Sequence, residues 1–145
     1  MRKDLESFLE NSQLNKLVER AEEEILSRLK NGSGSFSVAI TPGQIPEIEF
    51  PQFAQLIRVY GAKVGHKAKV ERHPNSFQTL VSIHGRGKTR TFNPNRGFVD
   101  GTFNNLYWSF VPENVWHEPV ADSNDWVAVT FHSAPESVLI DEYRG

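Results

Sequence analysis

The 145-residue chain contains no cysteine. That absence excludes disulfides, cysteine nucleophiles, thiolate zinc sites and iron–sulfur clusters. Any metal must be held by histidine, carboxylate, amide or water. No apolar run reaches the roughly 18 residues that a membrane-spanning helix needs. There is no excess of positive charge either: 16 Lys and Arg stand against 18 Asp and Glu, for a net charge of −2. A general binder of nucleic acid or membrane surfaces needs a net basic field, so neither partner is expected. No apolar segment follows the charged start Met1-Arg2-Lys3-Asp4, and a cytoplasmic location is expected. The length fits one domain of about 100–200 residues.

Residues 1–31 contain no Gly or Pro. Leu14, Leu17, Val18, Ala21, Ile25 and Leu29 recur there at helical spacing, and Leu5, Phe8 and Leu9 begin a similar stripe. Asn11-Ser12 falls between the stripes, as a break or a new cap. Asn31-Gly32 is a stop signal. The spacing predicts an N-terminal helical segment over 1–31, then a flexible Gly32–Ser35 connector. Its stripe serves either to pack on the rest of the chain or to join two copies as a homodimer.

From residue 36 to 145 the period shortens. Strands are expected near 36–40, 47–50, 55–60, 67–72, 77–84, 88–93, 107–111, 117–120, 126–132 and 137–140, with turns at Thr41-Pro42-Gly43, Gly85-Arg86-Gly87 and Asn93–Gly97. Short strands at this spacing build a sandwich or barrel.

The chemistry gathers around His73 and His117. On a strand, residues i and i+2 share a face, so Glu71 and His73 aim two donor atoms at one point. Gln78 opens the next strand and faces the same way across a hairpin. His117 follows a turn, in Pro112-Glu113-Asn114-Val115-Trp116-His117.

At these residues the sequence resembles the cupin superfamily. The first family motif is glycine, five residues, His-x-His, three or four residues, Glu, six residues, glycine. It stands here as Gly65, Glu71-Arg72-His73, Gln78 and Gly85. The second motif, proline-x-glycine-x-x-His, stands as Pro112, Asn114 and His117. The resemblance implies a mainly β protein, a cupin-type jelly-roll β-barrel with an N-terminal α-helical segment. It also implies a divalent metal held by Glu71 (in place of the first His), His73, Gln78 (in place of the Glu) and His117. Two His and one carboxylate suit non-haem Fe(II), which is expected ahead of Mn, Ni or Zn. The implied function is a metalloenzyme, dioxygenase-like, acting on a small organic molecule. The alternative is a metal-free cupin that binds a small ligand or isomerises it. Two stretches, His73–Gln78 and Thr130–Pro135, look distantly like those of thiol dioxygenases. Those enzymes use three His, and Glu71 departs from that.

Arg58, which interrupts an apolar strand, and Lys69, with the parity of Glu71 and His73, are candidates for binding an anionic substrate group. Trp108 and His132 are further candidates for lining a substrate pocket. Arg86, Lys88, Arg90 and Arg96 form a basic cluster, expected on a solvated face.

Overall fold

The computed structural model describes residues 1–101 and 108–144. Two helices come first, α1 at Arg2–Leu9 and α2 at Ser12–Lys30. Asn11 makes the break between them. Its side-chain oxygen accepts the N–H groups of Gln13 (3.0 Å) and Leu14 (3.2 Å), which caps α2. Arg28 and Lys30 in the last turn suit the negative end of the helix dipole.

Ten strands follow: β1 Ser35–Ile40, β2 Leu56–Ala62, β3 Val70–Arg72, β4 Gln78–His84, β5 Gly87–Asn93, β6 Gly97–Gly101, β7 Trp108–Val111, β8 His117–Ala121, β9 Trp126–His132 and β10 Glu142–Arg144. They form two five-stranded sheets, ordered β1-β2-β9-β4-β7 and β10-β3-β8-β5-β6. Neighbouring strands pair antiparallel throughout. The architecture is the expected mainly β jelly roll with an N-terminal helical segment.

Strand alternation divides the core. Val127, Val129 and Phe131 of β9 face outward, where they join Ile57, Val59, Val81 and Trp108 beneath Leu14, Val18, Ala21, Ile25 and Leu29 of α2. The helical stripe is thus buried within one chain. Each such aliphatic side chain contributes about 1.5–3 kcal/mol on full burial. Gly61 allows the helix to approach β2: a Cβ there would collide with the buried Ile25 side chain and crowd the Trp126 carbonyl. The inward residues of β9 run from apolar to polar. Trp126 and Ala128 pack with Ala62, Leu80 and Ala121 at one end, while Thr130 and His132 line a cavity between the sheets.

Three segments differ from expectation. Residues 47–50 are not a strand, because Pro46 and Pro51 bracket the run and neither has an N–H to donate. Ile45 and Phe50 instead anchor a loop under α1 and α2. Residues 137–140 form a turn that opens on Pro135, whose carbonyl accepts the Val138 and Leu139 N–H groups; the strand comes later, at β10. The hairpin return β6 was not expected, since its flanking glycines mask the short apolar pair Phe98-Val99. Residue 107, where one expected strand begins, lies outside the described residues.

Candidate metal centre

Strand pairing brings the distant ligand candidates together. Glu71 of β3 stands directly opposite His117 of β8. Gln78 of β4 stands opposite His132 of β9. The first pair lies in one sheet and the second pair in the other, and all four side chains line a cavity of about 460 Å³. His73 follows β3 and is buried, its ring centroid 5.2 Å from that of His117 and 5.1 Å from that of His132.

The turn before His117 is tied to His73, because the Asn114 N–H donates to the His73 carbonyl at 2.9 Å. Asn114 has φ 60°, the left-handed region where glycine and asparagine are best tolerated. Asn114 therefore stands at the motif's glycine position without loss of the turn. Gly85, which closes the first motif, has φ 68°, and a Cβ there would strike the Asp125 carbonyl. The stretches after His73 and His132 also meet: the Ser133 hydroxyl accepts the Phe77 N–H (3.0 Å), and the Ser76 hydroxyl accepts the Ala134 N–H (3.1 Å).

The imidazoles of His73 and His117 are held from behind. His117 Nδ1 donates to the Val115 carbonyl at 3.0 Å. His73 Nδ1 donates to the Ile140 carbonyl at 3.3 Å, with an Asp141 oxygen 3.0 Å away. With the proton on Nδ1, each Nε2 presents a lone pair. Both Nε2 atoms are buried without a hydrogen-bond partner. Glu71 Oε1 lies 3.3 Å from His117 Nε2 and 3.7 Å from His73 Nε2. Three acceptor atoms thus converge, all within 4.8 Å of one another. Such a set repels itself unless a cation or a proton sits among the three, and its composition suits a divalent ion. Arg72 does not neutralise Glu71, because its guanidinium pairs with Glu142 at 2.6 Å.

The other candidates separate. Lys69 is exposed at the rim of the cavity, its Nζ 5.8 Å from the Tyr143 ring centroid. His132 is buried within the cavity wall, its Nδ1 without a partner. Arg58 lines the cavity, but both its terminal nitrogens bind Asp141, at 3.2 and 3.1 Å. Trp108 is not at the cavity, which corrects its assignment as a substrate contact. It stands opposite Val81, on the face that α2 covers. In the basic cluster, Arg90 pairs with Glu118 and Lys88 lies 3.8 Å from Asp122. Tyr60, Thr89, Tyr143 and Asp141 went unrecognised in the sequence. The first two had only strand parity as a signal, and Asp141 had none.

Burial pushes the Tyr60 hydroxyl up to about 12, with the Glu71 charge adding to it, so it remains a protonated donor. Burial also lowers His132 well below its ordinary 6.5, helped by His73 and Arg58. His73 is lowered too, because burial outweighs the opposing charge of Glu71. The unfolded chain therefore binds more protons than the folded one as pH falls below 6.5. Stability of the metal-free protein is full above that value and declines as pH drops through it towards the lowered folded values. Urea unfolding on either side of pH 6.5 checks this. Replacing His132 by Asn should shrink the decline, and an undiminished decline would remove the assignment.

No family model and no curated protein matches the sequence. Solved structures match at the level of fold. The chain is similar to a mutant of salicylate 1,2-dioxygenase from Pseudoaminobacter salicylatoxidans in complex with gentisate, with TM-score 0.63 and 14% identity over 90% of this chain and 36% of that one. It is similar to the vicilin of Solanum melongena, with TM-score 0.60 and 13% identity over 79% and 32%. It is also similar to the formate complex of Lactobacillus farciminis oxalate decarboxylase, with TM-score 0.59 and 13% identity over 77% and 31%. The chain spans about a third of the length of these three proteins.

Proposed function

This chain has the cupin fold, and on that footing we propose that it is a metal-dependent enzyme acting on a small organic molecule, with dioxygenase-like chemistry. Glu71, His73 and His117 hold the divalent ion, Fe(II) ahead of Mn, Ni or Zn, with Gln78 beside them. The observation that carries this reading is the convergence of two buried, unpartnered Nε2 atoms on one carboxylate oxygen. The resemblance in fold to a dioxygenase and a decarboxylase supports it. A bound ion supplies Lewis acidity and, as iron, redox chemistry with O₂.

The chain's own residues do the rest. The cavity takes a small molecule, and Lys67 and Lys69 give its mouth a positive field that favours an anionic group. Tyr60 and His132, the latter held neutral by burial, line its interior. Leu80 and Pro119 supply apolar walls.

The test is elemental analysis of the purified protein after supply of Fe(II) or Mn(II). About one ion per chain is expected, and less than about 0.1 would overturn the metalloenzyme reading in favour of a metal-free ligand binder.

A further inference from the structure

We propose that Asp141 is a positioning residue for this centre: clamped by Arg58, it fixes the His73 ring so that Nε2 faces Glu71 and His117. The inference rests on the reading of these residues as a metal centre. Its support is geometric. Asp141 Oδ1 lies 3.0 Å from His73 Nδ1, and the Ile140 carbonyl accepts from the same nitrogen at 3.3 Å. A ring nitrogen facing a carboxylate and a carbonyl carries the proton, which leaves the lone pair on Nε2. The negative charge behind the ring also makes Nε2 a stronger donor to a cation.

Asp141 is itself held firmly. Arg58 grips it with two parallel N–H bonds, at 3.2 and 3.1 Å, the geometry in which guanidinium and carboxylate bind most specifically. Arg58 belongs to β2, flanked on both sides by β1 and β9, so its backbone is fixed by two ladders. From the other direction, β10 pairs with β3 through Glu142 and Arg72, which brings Asp141 alongside His73. The Asn75 side chain secures the approach, donating to the Val138 carbonyl (2.7 Å) and accepting the Ile140 N–H (3.1 Å). The two sheets are thus joined through Arg58, Asp141 and His73. His117 Nδ1, by contrast, meets the nearby Val115 carbonyl and, among the described residues, no carboxylate. This assigns Arg58 to Asp141 rather than to a substrate carboxylate.

The test is equilibrium titration with Mn(II) of the wild type, Asp141→Ala, Asp141→Asn and Glu142→Gln. Loss of a partner behind a ligand costs about 10–100-fold in metal affinity, and that loss is expected for Asp141→Ala. Asp141→Asn keeps the shape without the charge, and a smaller loss is expected. Glu142→Gln breaks the Arg72 ion pair of the same strand without touching His73, and wild-type affinity is expected. Wild-type Mn(II) binding with Asp141→Ala within about threefold of it would overturn the inference, as would an equal loss in Glu142→Gln. Absence of Mn(II) binding in the wild type would overturn the metal-centre reading itself, and this inference with it. Thermal unfolding of each metal-free variant separates a displaced ring from a misfolded chain.

Discussion

Replacing His117 by alanine is expected to abolish stoichiometric metal binding, the largest functional effect that any single substitution here should produce. Of the two converging Nε2 atoms, that of His117 lies nearer to Glu71 Oε1, at 3.3 Å against 3.7 Å for His73. Without it only His73 and Glu71 remain of the converging set, and two ligands do not make a dedicated site for a divalent ion. The affinity loss should therefore exceed the ~10–100-fold that removal of a supporting partner costs. His117 is fully buried, so a folding defect must be separated from a binding defect. Glu71→Gln does so, because the half-exposed glutamate loses only its charge and keeps its shape. Both variants should retain the wild-type circular dichroism and lose bound metal by elemental analysis. Equal metal content in the wild type and His117→Ala would refute the centre.

The second large effect falls on stability. Trp126→Ala should destabilise the protein by about 3–5 kcal/mol, the range for removing a buried aromatic side chain. Trp126 is fully buried and fills the apolar end of the barrel interior with Ala62, Leu80, Ala121 and Ala128. Tyr60 meets its ring edge-on at 6.2 Å. Its indole N–H donates to the Ser82 hydroxyl at 2.8 Å. The ring lies so close to Gly87 that even a Cβ there would collide with it. Three of these neighbours are alanines and one is Gly87, residues too small to close over the hole. Trp126→Phe should cost less, chiefly the ~1 kcal/mol of one hydrogen bond and some packing. Urea unfolding monitored by circular dichroism measures both. A Trp126→Ala cost below about 1 kcal/mol would show that this end of the barrel is not held by the indole.

Much of this architecture was legible because it is written in local periods. The stripe from Leu14 to Leu29 announced a helix with one apolar face. The β-rich run from Trp126 to His132 announced a strand. The spacing of Glu71, His73, Gln78 and His117 was legible as a motif because each residue sits at a strand end or beside a turn. What stayed hidden depends on pairing between distant segments. Nothing near residue 141 marks it as the neighbour of His73, which is 68 positions away, since only the β3–β10 register brings them together. Arg58 was legible as an arginine in an apolar strand, but its partner was not. Trp108 was misplaced because alternation along β7 does not say which face is inward; its register with β4, which sets Trp108 opposite Val81 and Ser109 opposite Leu80, puts the ring on the outer face.

The late position of β10 has a consequence for when the centre comes into being. Glu71 and His73 emerge near the middle of the chain, yet Asp141, the group proposed to orient His73, lies just before β10, some seventy residues later. Contacts that close such long loops form slowly, because loop-closure entropy is lost before they contribute. Until β10 docks, β3 with Glu71 belongs to an unfinished sheet and His73 lacks its Asp141 contact. An ion taken up by the proposed centre would then be captured last and would lock the finished barrel by mass action, since a ligand that binds only the folded state shifts folding towards it.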